Sequence, residues 1–189
     1  MSYVANVIAP QELTTGYGWT ASSSATAPTD PTLDPGTGFN CYGRIGEDGI
    51  TRSFDSDSEE IKDMFGNVIY TVTTSDSETW NWDMVDTNET SLKTFYGDES
   101  VTGSVENGFQ IKSNKAWAIE RMYVNRFIVS KTDTQVVYGL IVIPRGKISE
   151  RGDQTLVGSD IVHHEITINA MPDAQGNRAY LYTSAPQNL

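Results

Sequence analysis

Four segments between residues 39 and 85 alternate large apolar or aromatic side chains with polar ones: 39–45, 50–54, 68–74 and 78–85. A period of two residues is typical of half-buried β-strands. Glu47-Asp-Gly49 lies between the first two segments and is predicted to form their turn, since glycine takes the positive φ that hairpins need. The pattern therefore predicts a run of antiparallel strands.

The second half of the chain returns to strand-like patterns after a short interruption. These predicted strands are 109–113, 116–130, 134–143, 161–170 and 179–183. Turns are predicted at 102–103, 144–146 and 172–176, because glycine and proline break regular structure there. Many short strands at this spacing favour a mainly β fold, either a two-sheet β-sandwich or a barrel-like sheet.

One segment has helical spacing. At 87–96, Thr87 or Asn88 can act as N-cap, apolar side chains follow at helical intervals, and Gly97 ends the pattern. Residues 58–65 match the same period more weakly. The sequence therefore predicts one α-helix on the flank of the sheets, with a second, weaker helical candidate.

The first 38 residues differ from the rest in composition. Small residues and three prolines between residues 11 and 38 disfavour a helix or a central strand. We therefore expect residues 1–38 to form an N-terminal arm or long loop, and residues 39–189 to form the β-sandwich, with a single domain overall.

The net charge argues against one class of function, nucleic-acid binding. The formal net charge is −12, which disfavours binding to nucleic-acid phosphates, since such binding needs clustered basic residues. Residues 55–106 hold thirteen acidic and two basic residues, whereas residues 112–151 hold eight basic and three acidic ones. This segregation fits either opposite surfaces that join neighbouring copies head to tail or an acidic face kept for solubility.

The single cysteine, Cys41, excludes an internal disulfide framework and is expected to be a small buried core residue. No stretch reaches the roughly 20 apolar residues of a membrane span, and the first ten residues do not resemble a signal peptide. We therefore expect no membrane segment, and synthesis in a reducing cytoplasm.

His163-His164-Glu165 is the constellation most suggestive of a metal site. Adjacent residues of a strand point to opposite faces, so the two histidines cannot readily share one ion, and a half-exposed strand is the simpler interpretation. At a subunit interface, these histidines could make assembly sensitive to pH.

Trp80 and Trp82 lie between Glu78 and Asp83, which would suit glycan stacking or a pair of hydrolase carboxylates. Glu78 shares its face with both tryptophans while Asp83 faces away, so the acids do not pair and core packing is favoured. Residues 151–153 spell Arg-Gly-Asp, which is most simply a turn. With no phosphate loop and no nucleophile motif, we expect no catalytic, cofactor-binding or metal site and no enzyme activity.

Five segments, taken in order, resemble the tail tube proteins of long-tailed bacteriophages. They are the small-residue segment 25–30, the strand and turn at 39–51, the helix ending in Tyr-Gly at 86–97, and the later segments 143–148 and 166–176. Each pattern is weak alone, but their shared order over about 150 residues carries weight.

The resemblance implies a two-sheet β fold with a flanking helix, assembled as stacked hexameric rings around a channel. In that family the loop joining the early strands reaches the next ring. Its counterpart here is residues 51–67, with five acidic residues that would contact a ring or line the lumen: Asp55, Asp57, Glu59, Glu60 and Asp63. An ordinary mobile acidic loop is the alternative interpretation.

The implied partners are further copies of the chain, a tape-measure protein, the tail-tip complex and a tail terminator. DNA would pass through without specific binding, and the protein would belong to the virion tail, with assembly in the host cytoplasm. Two alternatives stay open: a secreted or surface β-sandwich that binds glycans through Trp80 and Trp82, and another virion structural protein such as a decoration or head-tail connector protein.

Overall fold

The computed structural model describes residues 18–113, 118–158 and 161–188. These ranges contain eleven strands, one α-helix and a short 3-10 helix at Asp98–Ser100. The helix, α1, spans Glu89–Tyr96. The strands are β1 (Gly18–Ser22), β2 (Asn40–Gly43), β3 (Ile45–Lys62), β4 (Val68–Met84), β5 (Val101–Ser104), β6 (Gly108–Ile111), β7 (Glu120–Lys131), β8 (Gln135–Arg151), β9 (His164–Ala170), β10 (Tyr180–Thr183) and β11 (Gln187–Asn188).

The main sheet has the order β2-β1-β7-β8-β9-β4-β3, and every pairing is antiparallel. Its two outermost strands, β2 and β3, are separated in the chain by Arg44 alone. The Val85 amide donates to the Arg44 carbonyl at 3.2 Å, where the two strands meet. The sheet thus curls back on itself into a barrel-like form, which confirms the predicted fold class; β5 and β6 form a separate small sheet.

Strand β8 connects two parts of the sheet. Its first half pairs with β10 and β11, and its second half pairs with β9. The change occurs at Pro144 and Arg145, which stand opposite a break in register with β7. The predicted turn at 144–146 is therefore wrong. Pro144 is tolerated inside this strand because it lies at a bulge, where no backbone N–H is needed for pairing with the neighbouring strand.

The interior of the curled sheet is aromatic and aliphatic. Trp82 is central to it, with its ring stacked on Tyr42 at 6.3 Å between centroids and edge-on to Tyr123 at 5.7 Å. The cluster of buried residues comprises Tyr42, Trp80, Trp82, Met84, Phe95, Tyr123, Ile141, Ile143, Ile148, Ile166, Ile168 and Ala170. These side chains come from β2, β4, α1, β7, β8 and β9, so one core holds the barrel and its helix together.

A second core lies on the opposite face of β1, β7 and β8. It contains Trp19, Ala21, Met122, Val124, Leu140 and Val142. The irregular segment 23–39 packs over this core, and Arg126 holds the segment in place. The Arg126 guanidinium donates to the carbonyls of Pro31 and Thr32 at 2.8 and 2.9 Å and pairs with Asp34.

Helix α1 begins where the sequence predicts. The Asn88 side chain accepts from the Ser91 amide at 2.9 Å, and the Ser91 hydroxyl accepts from the Asn88 amide at 2.9 Å. This reciprocal cap satisfies two backbone donors that would otherwise lack partners at the helix start. Gly97 ends the helix with φ of 97°, as the sequence predicts.

The assignment of residues 1–38 to an arm needs correction. Residues 1–17 lie outside the described part of the chain, but Gly18–Ser22 form β1, between β2 and β7 in the main sheet. Residues 18–21 are all buried, because β1 is covered on both faces and so lacks the alternation that marks a half-buried strand. Only the loop character of residues 23–38 agrees with the prediction.

Two local predictions in the next segment are also wrong. Residues 58–65 are not helical: they form the end of β3 and the turn after it. Glu47-Asp-Gly49 does not reverse the chain either, because β3 runs through it. Ile45 pairs with Met84 and Ile50 with Trp82, so the extra residues form a bulge in which Gly49 adopts φ of 70°.

Cys41 is exposed and not buried as predicted. It lies in β2 directly before Tyr42, and successive side chains of a strand point to opposite faces. Tyr42 takes the core-facing position and is fully buried, so the cysteine faces outward. Desolvation nevertheless raises the pKa of its thiol.

Replacing Gly18 with alanine is expected to destabilise the protein. A methyl group at Gly18 would lie 2.0 Å from Cε2 of Tyr42, whose ring cannot retreat inside a packed core. Overpacking of this kind costs about 1–3 kcal/mol in unfolding free energy, measurable by urea titration. Gly36→Ala is the control, since nothing lies within 4 Å of that position, and equal stabilities of the two variants would contradict the packing account.

Candidate assembly surface

Strands β3 and β4 continue beyond the barrel as a two-stranded arm. Strand β4 pairs with β9 only from Thr79 to Met84, whereas its pairing with β3 extends to Val68 and Lys62. Residues 51–62 and 64–76 are all solvent exposed. We call residues 51–77 the hairpin arm; twelve residues of one extended strand, 51–62, span roughly 40 Å at about 3.3 Å each.

The tip of the hairpin arm is an ordered turn. Oδ1 of Asp63 accepts from the amides of Phe65 and Asn67 at 2.8 Å each, and the Asn67 side chain donates to Oδ2 at 3.0 Å. Gly66 adopts φ of 85°. These hydrogen bonds, led by the one from the Asn67 side chain, lower the pKa of Asp63 and keep its carboxylate ionised as the organiser of the turn.

This turn presents two apolar side chains to solvent. Met64 is 90% exposed and Phe65 is 80% exposed. Further large apolar side chains of the arm are exposed as well: Phe54, Ile61, Val68, Ile69, Tyr70 and Val72. An apolar surface of this extent on a protruding element is typical of a protein interaction site.

All five predicted acidic residues lie on the hairpin arm. Asp57 accepts from the Ser75 hydroxyl at 3.1 Å, and Glu60 pairs with Lys62 at 3.2 Å. Asp63 organises the tip, and Asp55 and Glu59 are exposed on β3. Their role at a ring contact or in a lumen stays a prediction.

The stem of the arm is anchored in the barrel by a buried carboxylate. Oε1 of Glu78 accepts from Nε of Arg52 at 2.9 Å and from Nε1 of Trp80 at 2.7 Å. The Arg52 guanidinium lies 4.3 Å from the ring centroid of Phe54 and 4.9 Å from that of Trp80. Charge pairing and ring contacts therefore fix the point where the arm leaves the core.

The two tryptophans considered for glycan binding are core residues. Trp80 is 2% exposed and Trp82 is 1% exposed, so neither ring can stack on a sugar. Glu78 and Asp83 lie on opposite faces of β4, as the alternation predicts, and Asp83 instead contacts His163. The glycan-binding and hydrolase interpretations therefore have no site on this strand.

The adjacent histidines also separate. His164 is buried: Gln154 Nε2 lies 2.7 Å from its Nδ1, and the Thr87 hydroxyl lies 3.3 Å from its Nε2. His163 is partly exposed and contacts Asp83. No group of three metal-ligating side chains occurs within residues 18–113, 118–158 and 161–188.

Arg151 of the Arg-Gly-Asp sequence is the last residue of strand β8 and does not lie in a turn as predicted. Its Nη1 donates to the Phe95 carbonyl at 3.3 Å, and its guanidinium lies 5.4 Å from the Phe95 ring centroid. The side chain therefore holds α1 against the barrel. None of the helices in the described ranges is long and apolar enough to cross a membrane.

The segregation of charge along the sequence is partly cancelled in three dimensions. Three of the arginines between residues 112 and 151 pair with acids of the same chain: Arg121 with Asp98, Arg126 with Asp34, and Arg145 with Glu120. The separation of acidic and basic surfaces is therefore weaker in the folded protein than the sequence suggests. The exposed apolar tip is the stronger interaction feature.

Met64, Phe65 and the apolar side chains of the outer half of β4 were not singled out as functional from the sequence. The signal that could have located the tip is Asp63-Met-Phe-Gly-Asn67, a turn sequence whose two central residues are large and apolar. Apolar residues in a tight turn have no core to enter, which marks them as candidates for contact with another molecule.

Comparison with known proteins gives a family match over nearly the whole chain. The family model described as "Phage tail tube protein" matches residues 9–188. No curated protein is significantly similar in sequence.

Two solved structures resemble the chain remotely. One is the sheath-tube complex of an extracellular contractile injection system in its extended state, with 11% identity, coverage of 89% of each chain and a TM-score of 0.41. The other is the tube-terminating cap of the anti-feeding prophage, with 12% identity, coverage of 97% of this chain and 100% of that chain, and a TM-score of 0.41. At these TM-scores we draw no conclusion from either likeness.

Acid is expected to destabilise the folded protein through His164. Burial lowers the pKa of His164, against the opposing influence of Asp83 and together with that of His163. In the unfolded chain His164 binds a proton at about pH 6.5, whereas in the folded chain it does so only at lower pH. The free energy of unfolding therefore decreases as the pH falls below about 6.5, by at most about 1.4 kcal/mol per pH unit.

Urea titrations between pH 7.5 and 5 should therefore show a steeper loss of stability in the wild-type protein than in His164→Gln. Identical pH slopes in the two proteins would contradict this assignment.

Proposed function

The chain belongs to the phage tail tube protein family, and from this membership we propose that its copies stack as hexameric rings into a tube, with the hairpin arm making the contact between rings. The family match supports a structural component of the virion tail. Subunit number and ring geometry are part of the proposal. The activity proposed is polymerisation, without catalysis.

The observation that carries this proposal is the exposed apolar tip on an ordered arm. Met64 and Phe65 would remain in water on an isolated subunit, at a cost in free energy that contact with a second copy removes. A protruding patch that fits a different surface on the next copy makes a head-to-tail contact, and such contacts continue along an axis. A tube needs this geometry.

The acidic side chains suit passage of DNA. The chain carries a formal net charge of −12, and Asp55 and Glu59 stay exposed on β3. Carboxylates facing a channel would repel phosphate groups within the roughly 8 Å over which charges act at physiological ionic strength. DNA could then slide through without specific binding.

A tape-measure protein inside the tube, a tail-tip complex and a tail terminator complete the proposed set of partners. Assembly would take place in the host cytoplasm before the tube becomes part of the virion. A decoration or connector role is not favoured by any contact in the described ranges.

Negative-stain electron microscopy of concentrated protein tests the proposal. We expect rings or tubes of uniform width with a central channel. Monomeric protein at every concentration and ionic strength would contradict it.

Replacing Met64 and Phe65 with serine is expected to block tube formation without unfolding the subunit. Burial of each side chain contributes about 1.5 kcal/mol or more, so their joint loss raises the concentration needed for assembly roughly a hundredfold. The thermal midpoint should not change, because both side chains are exposed in the subunit.

Val105→Ser is the matched control, since Val105 is 75% exposed but lies outside the hairpin arm. Assembly can be followed by sedimentation and electron microscopy. If the protein with both Met64→Ser and Phe65→Ser assembles like the wild-type protein, the tip does not make the contact between rings.

A further inference from the structure

The hairpin arm is held from outside its own two strands by Arg178. The last pair between β4 and β9 joins Thr79 to Asn169. Asp76 lies three residues further along the arm than Thr79. Arg178 donates from Nη1 to Oδ2 of Asp76 at 2.7 Å and from Nη2 to the Asp76 carbonyl at 2.6 Å. The two bonds hold both the side chain and the backbone of β4 beyond the edge of the barrel.

Arg178 directly follows a turn that hydrogen bonds to Asp173 hold in place. Oδ1 of Asp173 accepts from the amides of Gln175 and Asn177 at 2.9 Å each, and Oδ2 accepts from the Tyr180 hydroxyl at 2.6 Å. This turn repeats the pattern at the tip of the arm, where Asp63 holds the corresponding amides. The residue that follows the turn, Arg178, is therefore presented in a defined direction.

The turn is also tied to the barrel. Nη1 of Arg145 donates to the Pro172 carbonyl at 3.0 Å, and the Arg145 guanidinium pairs with Glu120. Tyr180 belongs to β10, which pairs with β8. A continuous set of hydrogen bonds thus connects the barrel, the turn and Asp76 of the arm.

The contact lies on one side of the stem. Arg178 and Asp76 line an open cleft of about 480 Å³ together with Arg52 and Glu78. Arg52 and Glu78 fix the arm where it leaves the core, and Arg178 holds it on the same face but further out. The arm can therefore swing toward the opposite face only if the Arg178 contacts break.

We propose that Arg178 is a positioning residue for assembly, which sets the direction of the hairpin arm before its tip meets the next copy. This inference rests on the proposed function, in which the arm makes the contact between rings. An arm already pointing in the docking direction loses less conformational entropy on binding than a swinging one, so contact forms at lower protein concentration.

The fold itself does not depend on this contact. The Asp76 side chain is 58% exposed and the Arg178 side chain is 25% exposed, and ion pairs with a solvent-exposed partner contribute little to stability. Loss of Arg178 should therefore change the orientation of the arm and the onset of assembly while the barrel stays folded.

Single-molecule energy transfer at subnanomolar concentration measures the orientation of the arm in the unassembled subunit. The exposed Cys41 is first replaced by serine, and dyes are attached to Met64→Cys at the tip and Gly36→Cys on the body. We expect one narrow distance distribution for this protein. Adding Arg178→Ala should broaden that distribution.

Two further variants separate positioning from general structure. Lys93→Ala removes a different exposed ion pair, that of Lys93 with Glu89 at 2.6 Å, and should leave the distribution narrow. Arg178→Lys keeps one charged donor and should restore it in part. The thermal midpoint should be the same for all these variants.

Unlabelled proteins with the native tip test the consequence for assembly. Arg178→Ala should raise the concentration at which tubes form by roughly two- to fivefold, the range expected for an ion pair open to solvent on one side. Lys93→Ala should assemble like the wild-type protein.

A distribution for Arg178→Ala as narrow as that of the reference protein would overturn the inference, as would a broadened distribution with unchanged assembly. Failure of the wild-type protein to form tubes would instead contradict the proposed function. The energy-transfer result would then still decide whether Arg178 directs the arm.

Discussion

The packing of Trp82 between Tyr42 and Tyr123 is the interaction on which the rest of the structure depends. It joins β2, β4 and β7 at the point where the sheet closes on itself, and all three rings are almost fully buried. The close approach requires residues without side chains: Gly18 lies against the Tyr42 ring, and Gly146 lies against Tyr123. Aromatic bulk and two glycines together allow the close packing at this point.

The same strand that carries Trp82 extends into the hairpin arm, which links the core directly to the assembly surface. Along β4 the alternating side chains are buried from Met84 back to Glu78 and exposed from Asp76 outward. No apolar core supports the outer half, so its order depends on the ladder with β3, the Asp63 turn and the contacts at the stem. A two-stranded ribbon is marginal in water by itself, and anchoring at the stem offsets this weakness.

How far the sequence predicts this structure depends on where the determining contacts lie. The cap and end of α1 are local, and the alternation of β9 and of the inner half of β4 reflects one buried face, so both were predictable. Strand β1 was missed because tertiary packing covers both its faces. The arm was misread in part because Ile61, Met64 and Phe65 match helical spacing, although their positions follow from cross-strand pairing and a turn. The five acidic residues lie on β3 and in the turn after it, not in the loop that the resemblance implies, and their role stays a prediction. The proposed role of Arg178 was beyond the sequence because it depends on contact between distant segments.

Oxidation of Met64 by peroxide tests the central claim most directly, because this side chain is almost fully exposed in the subunit and would be covered at a contact between rings. Met84, fully buried in the core, serves as the internal reference, and mass spectrometry reports both sites. The account predicts rapid oxidation of Met64 in the free subunit and strong protection in assembled tubes. Equal oxidation rates of Met64 in the two states, in tubes confirmed by microscopy, would contradict it.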